Sequence, residues 1–248
     1  VPGELTLGDL YVGRRADADT NLPSRGQGLF SAERLFLVAD KLLRWYEKLP
    51  WKPYRRAAIR RAEQWIIDHQ EADGSWGGIQ PPWVYALIAL NHLGHPLDDP
   101  IMAKGLDGFR REWSLPSEDG QALRMQACLS PVWDTALATL GLLDSGIAPD
   151  HDAIQSATRW FLQEEIRVKG DWAMRAPNVE PSGWAFEFQN DMYPDIDDSS
   201  IIVMDLALAR MTDPAEEAAR IQALDRSKAW MLGVRSKGGG WAAFDKDN

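Results

Sequence analysis

Three carboxylates fall within four residues at Pro194-Asp195-Ile196-Asp197-Asp198-Ser199, directly after a proline and directly before an apolar run. Carboxylates this close cannot all ionise freely, so at least one proton is expected above the ordinary carboxylate range. A carboxylic acid held protonated is what acid-initiated chemistry requires. The competing reading is a helix cap, because Asp is a favoured N-cap and acidic first-turn residues are stabilised by the helix dipole. One cap needs one Asp, however, not three. The neighbours Trp184, Phe186, Phe188 and Tyr193 are aromatic, and the run that follows is apolar on all sides. The cluster is therefore expected to point into an interior.

Other chemistries find less support. Mg²⁺ bound by carboxylates is usually accompanied by a diphosphate, which would call for a Lys/Arg cluster or a Gly-rich cradle. Neither lies beside the acids. Zinc would call for Cys or His ligands. His69, His92, His95 and His151 are scattered over staple and turn segments and read as structural. Cys128, within Met125-Gln126-Ala127-Cys128-Leu129, reads as buried filler. No Ser-His-Asp or Cys-His arrangement is legible. Trp133 and Phe186 stand at or near predicted helix heads beside the acids. An aromatic face in a dry cavity stabilises a cation without offering a nucleophile. Acid plus aromatic lining suits a reaction that creates carbocations and keeps water away.

The elements that must position these groups form a repeat. Arg61-Ala62-x-x-Trp65-Ile66 leads through Gln70 to Gly74-Ser75-Trp76. Ser156-Ala157-x-x-Trp160-Phe161 leads through Glu165 to Gly170-Asp171-Trp172, and Arg226-Ser227-x-x-Trp230-Met231 leads through Arg235 to Gly239-Gly240-Trp241. In each, a long polar side chain near a helix C-terminus can bond the following turn, Gly allows the reversal, and a Trp closes the unit. Between these staples, residues 82–90, 133–143 and 199–208 are apolar nearly all round and read as buried helices. Amphipathic helices are predicted near 32–46, 55–69, 101–109, 152–165 and 216–233. Buried inner helices alternating with wet outer ones describe an all-α fold, an α/α barrel or toroid. No strand-like alternation competes. Overlaying the inner helices pairs Asp134 with Asp198 and Trp133 with Asp197, and places Ile79, Gln80, Pro81, Trp133 and the acids at one mouth.

Composition sets outer bounds. The chain has 248 residues, 12 of them Trp, and a net charge of -10, which argues against nucleic acid as a partner. Arg55-Arg56 and Arg60-Arg61 read as the wet face of one helix. A single cysteine excludes an intrachain disulfide and fits a cytosolic setting. No apolar segment is long enough for a spanning helix, and no signal-peptide pattern opens the sequence, while attachment to a membrane surface stays open. The start at Val1 and the stop at Asn248, just after a strong motif, read as an excerpt from a longer polypeptide.

Taken together, these features resemble the squalene–hopene cyclases, the bacterial class II triterpene cyclases. The likeness is carried by Asp-x-Asp-Asp at Asp195–Asp198 and by the repeats closing at Trp76, Trp172 and Trp241. It is carried further by Gly77-Gly78-Ile79-Gln80-Pro81-Pro82-Trp83, Ser130-Pro131-Val132-Trp133-Asp134-Thr135 and Gly183-Trp184-Ala185-Phe186. These cover nearly the whole chain. Oxidosqualene cyclases share the repeats but have an acid motif with one central Asp, so the double Asp points to the squalene branch. The resemblance implies that Asp197 protonates a terminal C=C bond of squalene, tuned by Asp195 and Asp198, in the cyclisation to hopene or hopanol. It implies that Trp133 and Phe186 stabilise cations, that Ile79, Gln80 and Pro81 contribute to the cavity wall near the cyclisation terminus, and that Asp134 belongs to the support network. It implies no metal and no organic cofactor. The whole enzyme would be a two-barrel homodimer attached to the cytoplasmic face of a membrane.

Residues 1–97 would hold the later part of one barrel, and 98–248 the opening part of the catalytic one. Family members are more than twice as long, so the His that partners the catalytic Asp would lie beyond Asn248 and the chain alone would be inactive. Glu165 and Arg235 stand where the family usually has Gln, which is expected to weaken the second and third staples. Two alternatives stay open: a class II cyclase of a diterpene diphosphate or meroterpenoid, and a non-catalytic α/α-barrel binding module.

Overall fold

The computed structural model of the chain describes Asp17 and residues 31–50, 52–111 and 113–247. Val1 and Asn248 lie outside the described residues. The chain forms two compact units, Val1–Ile59 and Arg60–Asn248. The first holds α1 (Ala32–Glu47), capped by Ser31, whose Oγ accepts the Arg34 N–H at 3.3 Å, and the opening turn of α2 (Arg55–Asp68). Arg55, Arg56, Arg60 and Arg61 are all exposed, as a wet helix face requires.

The second unit continues α2 and adds α3 (Gln80–Leu93), α4 (Pro100–Arg111), α5 (Pro131–Asp144), α6 (Asp152–Glu164), α7 (Ile196–Leu208) and α8 (Pro214–Gly233). A hairpin of β1 (Ser114–Pro116) and β2 (Leu123–Met125) joins α4 to α5. Its three-residue strands are too short to show as alternation in the sequence. Proline opens α3, α5 and α8, where a missing N–H costs nothing, and Gly94 ends α3 at φ +105°. Caps fix the other starts. The His151 ring accepts the Ala153 N–H at 3.1 Å, and Asp213 accepts from Ala215 and Glu216. Of the other histidines, His69 stacks on Trp65 at 4.0 Å and meets Asp171, His95 is held between Glu63 and Asp99, and His92 is exposed.

Two layers are evident in the C-terminal part. α5 packs along α7, while α6 and α8 lie outside them and pair with each other, partly through Arg159 and Glu216 at 2.7 Å. The core there joins Val132, Ala136, Phe161, Trp184, Ile202 and Leu206. A separate core sets Trp83 of α3 against Phe109 of α4 at 4.6 Å and against Trp113. This inner-and-outer helical arrangement is that of an α/α toroid. The inner helices bury only one side, contrary to the expectation of burial all round. Tyr85 and Ile88 of α3, Leu137 of α5 and Met204 of α7 are exposed, because the described residues supply no neighbour on that side.

The repeat is real, but its second copy closes elsewhere than the spacing suggested. In the first, the Glu71 N–H reaches the Ser75 carbonyl at 2.9 Å and the Trp76 indole reaches the Ile66 carbonyl at 2.6 Å. In the third, the Ser236 N–H reaches the Gly240 carbonyl at 3.0 Å and the Trp241 indole reaches Met231 at 2.6 Å. The matching bonds of the second run from the Ile166 N–H to Gly183, at 3.0 Å, and from the Trp184 indole to Phe161, at 2.7 Å. Trp184 is thus the closing residue. Trp172 lies in an inserted excursion, packs edge-on against Trp230 at 5.9 Å, and leaves its N–H without a partner.

The staple side chains also differ from expectation. Gln70 donates to the Gly74 carbonyl at 3.3 Å and to Ile101 at 2.9 Å. Arg235 does the same work, donating to the Gly239 carbonyl at 2.9 Å with its guanidinium 5.4 Å from the Trp241 ring centre. Glu165 has no proton to donate. It accepts instead from Ser182 Oγ at 2.8 Å and takes a two-pronged grip on Arg226 of α8, at 3.0 and 2.6 Å. These replacements are not weakened staples, because each side chain found a partner suited to its charge. Glu165→Gln, which restores the usual residue, should therefore destabilise the chain by about 1–3 kcal/mol, read as a lower midpoint in chemical denaturation.

Candidate active site

The acid cluster forms the head of α7. Asp195 is the N-cap, and its Oδ1 accepts the Asp198 N–H at 2.8 Å. Its own N–H donates to the Trp184 carbonyl at 3.0 Å, and the Ile196 N–H donates to Ala243 at 2.8 Å. The helix head is thus pinned between the closure of the second repeat and the turn after the third. Asp195 and Asp198 are 5% and 2% exposed, whereas Asp197 is open. Burial pushes both buried carboxyls up. For Asp198 the neighbouring charge of Asp195 adds to the shift, so the pair holds a proton well above the ordinary range. One oxygen of Asp198 has no hydrogen-bond partner.

The other residues selected from sequence are distributed as follows. Trp133 is half-buried at the head of α5, and Phe186 is half-buried two residues beyond Trp184. Asp134 is exposed and accepts from Ser130 Oγ at 3.0 Å. Since Asp198 is buried, the overlay that paired the two does not hold: Asp195 caps α7 through its side chain, whereas Ser130 at the start of α5 does not. Ile79 is 41% exposed, Pro81 is exposed, and the Gln80 amide rests on Met125 Sδ at 3.1 Å. The Gln80 backbone N–H donates to the Ala127 carbonyl at 2.9 Å, which ties the head of α3 to the segment between β2 and α5. Cys128 pairs with Ile79 there and packs against the first core, as filler should.

An apolar cavity of about 650 Å³ opens between α2, α3 and the segments around 171, 193 and 244. Trp65, Trp76, Ile79, Tyr85, Tyr193 and Phe244 are among its walls. Of the acids and cavity-wall residues expected from the resemblance, only Ile79 lines it. Asp197, Trp133 and Phe186 do not, so it is a neighbour of the acid cluster through Tyr193-Pro194 and not the chamber around the acid. Among the described residues, no group of three or more His, Cys, Asp or Glu is placed to hold a metal ion.

Three further carboxyls with raised pKa values, two buried and one half-buried, escaped the sequence reading. Asp205, two turns beyond Asp198 on α7, is 1% exposed with both oxygens unpartnered, and burial, helped by Asp144, pushes it up to about 8. It was visible as a lone acid inside Ile201-Ile202-Val203-Met204-Asp205-Leu206. Burial likewise pushes Glu71 up to about 8 and Glu187 up to about 7. Glu187 sits against Gly78, where a Cβ would come within 2.7 Å of its Cγ, so the first repeat's turn packs directly on the loop after Phe186. Nothing in the local sequence signalled that contact.

An all-α repeat protein with a buried pair of acids heading one inner helix is the class defined by this fold and site. Family models of the squalene–hopene cyclase N-terminal domain and C-terminal domain match residues 1–115 and 129–248. The chain is 42% identical over 231 residues to a squalene–hopene cyclase of Alicyclobacillus acidocaldarius, covering 93% of this chain and 36% of the relative. It is 36% identical over 248 residues to a dammaradiene synthase of Dryopteris crassirhizoma, covering 100% and 35%, and 39% identical over 221 residues to a squalene hopane cyclase of Aspergillus fumigatus, covering 86% and 28%. The chain belongs to the squalene–hopene cyclase family, and it spans about a third of the length of the curated relatives it matches.

The buried acids set a pH dependence. A carboxyl whose folded pKa is raised stabilises the fold below its unfolded pKa, and that stability is lost as pH rises through the folded value. Asp205, Glu71 and Glu187 share this sign. So does His95, held protonated first by Glu63 and then by Asp99. Glu217, pulled down to about 2 chiefly by Arg220, loses its contribution only in strong acid. The chain should therefore be more stable at about pH 5 than at about pH 8.5, and Asp205→Asn should flatten the difference. Denaturation midpoints of both proteins at the two pH values check this.

Proposed function

We propose that the full-length protein is a class II terpene cyclase that starts a cation cascade by protonating an alkene, with squalene as substrate and hopene or hopanol as product. The observation that carries this reading is the head of α7: two acids are buried side by side at its cap, with their carboxyls pushed up by burial, beside a third acid that faces outward. Asp197 is the donor. Its O–H breaks as a new C–H bond forms at one carbon of the terminal C=C, leaving a carboxylate and a tertiary carbocation. Asp195 and Asp198 orient it and return a proton. Successive ring closures move the charge along the chain, and loss of a proton or capture of water ends the cascade.

Trp133 and Phe186 would face the cationic intermediates with their rings, a contact that stabilises charge without trapping it. Ile79, Gln80 and Pro81 would form the wall near the last ring, with Asp134 in support. No metal or organic cofactor enters the scheme. The likeness to a dammaradiene synthase favours a second reading, in which the same acid start leads to a different termination. The separate N- and C-terminal family models support division of the chain between two barrels; they match residues 1–115 and 129–248, and a boundary at 97/98, between the packed helices α3 and α4, belongs to the proposal alone.

No described helix is long and apolar enough to cross a membrane. Attachment of the full-length protein to the cytoplasmic face of a bacterial membrane, as a homodimer, belongs to the proposal because the substrate is an insoluble hydrocarbon. The test is incubation of the full-length enzyme with squalene without added metal, followed by mass-spectrometric product analysis. Cyclic C30 products are expected, and Asp197→Asn should lower turnover by about 10²–10⁴-fold or more while keeping the helical circular-dichroism spectrum. Near-normal turnover in that variant would remove Asp197 as the donor.

A further inference from the structure

The acid cluster is held in place by a chain of contacts that begins in the second repeat. Trp184 is fully buried, and its indole is tied to the Phe161 carbonyl. Its backbone carbonyl accepts the Asp195 N–H at 3.0 Å. Its backbone N–H donates to Ser199 Oγ at 2.9 Å, and Ser199 Oγ donates back to the Trp184 carbonyl at 3.4 Å. One hydroxyl thus serves both peptide groups of Trp184 in a site without water access. Ser199 is itself fully buried, and its N–H donates to the Asp195 carbonyl at 3.2 Å. The fit is close. Gly183 sits at φ +103°, and a Cβ there would stand 2.9 Å from Ser199 Oγ and 2.9 Å from the Trp230 ring.

We propose that Ser199 and Trp184 are positioning residues for the acid cluster, fixing the depth of the α7 head and so which of the three Asp side chains is buried and which faces out. The proposal rests on the acid reading of Asp197 given above. Ser199 spends its only proton on a carbonyl, so its hydroxyl acts through Trp184 and not on substrate. Without it, the Trp184 N–H is a buried donor with no acceptor, and the relief is for the helix head to move toward water. Asp195 and Asp198 are the first residues that such a movement wets. Trp184 resists it because its indole anchors the same residue to α6.

The test is a carbon-13 NMR titration of the Asp carboxyls in this chain, read beside kinetics of the full-length enzyme. In Ser199→Ala the midpoints of Asp195 and Asp198 should fall by about one pH unit or more toward the ordinary Asp value, while Asp205 further along α7 stays put. Ser199→Thr, which keeps the hydroxyl, should restore both. Trp184→Phe, which keeps the backbone contacts and frees the ring from Phe161, should shift the pair in the same direction by less, and it carries the test should Ser199→Ala fail to fold. In the full-length enzyme Ser199→Ala should lower kcat by about 10-fold with KM unchanged. Unmoved midpoints, or an equal shift at Asp205, would overturn the proposal, since a loss of general stability moves all three groups together. If the midpoints move as expected while Asp197→Asn keeps its turnover, the positioning role stands and the acid reading falls.

Discussion

A carboxylate taken out of water must be compensated by a cation, by donors or by a proton, and the head of α7 uses the last two. Asp195 accepts a backbone N–H from Asp198, as an N-cap does, while burial pushes both carboxyls up and so favours their protonated form. Among the described residues no Lys or Arg bonds to either acid. A guanidinium there would have turned the same pair into an ordinary ion pair and removed its acidity. The rest of the C-terminal architecture serves this one dry position without a paired cation. α5 and α8 cover α7 from its sides, Trp184 closes over its head, and the turn after the third repeat holds Ile196.

The repeats show which part of a staple is fixed and which is free. The fixed part is made of backbone groups and one indole: an N–H to the residue before the Trp, and the indole N–H to a carbonyl just after the helix aromatic. The free part is the long polar side chain. Gln70 and Arg235 donate to a turn carbonyl; Glu165 accepts, and recruits Arg226 from the next outer helix to balance its charge. The substitution therefore changes what the staple connects. At Glu165 it joins the second repeat to α8, and so to the helix that packs against the acid-bearing α7.

Helices were legible because their determinants are local. The expected 55–69 and 152–165 became Arg55–Asp68 and Asp152–Glu164, since periodicity, caps and prolines act within a few residues. The second closure was misread because Gly170-Asp171-Trp172 has the Gly-x-Trp form of the other two copies and lies nearer Glu165, whereas Trp184 follows Ser182-Gly183. What selects Trp184 is its bond to the Phe161 carbonyl, which joins residues 23 apart and leaves no mark on spacing. The half-buried Glu71 and the buried Glu187 were missed for the same reason. Their burial comes from two turns meeting across the fold, and neither turn carries a sign of the other.

Capping and acid chemistry looked like rival explanations of Asp195–Asp198, yet the geometry makes one the means of the other. The cap fixes Asp195 with its oxygen on the Asp198 N–H, which buries both side chains in the first turn and pushes both carboxyls up. The helical turn then separates their direction from that of Asp197, so a pair of acids can be dry while the third faces out. A single Asp could not satisfy both demands, because a proton store needs burial and a donor needs contact with the acceptor. Three acids within four residues are what a helix N-terminus requires to meet both at once. The proline before them and Ser199 after them fix the register in which that division occurs.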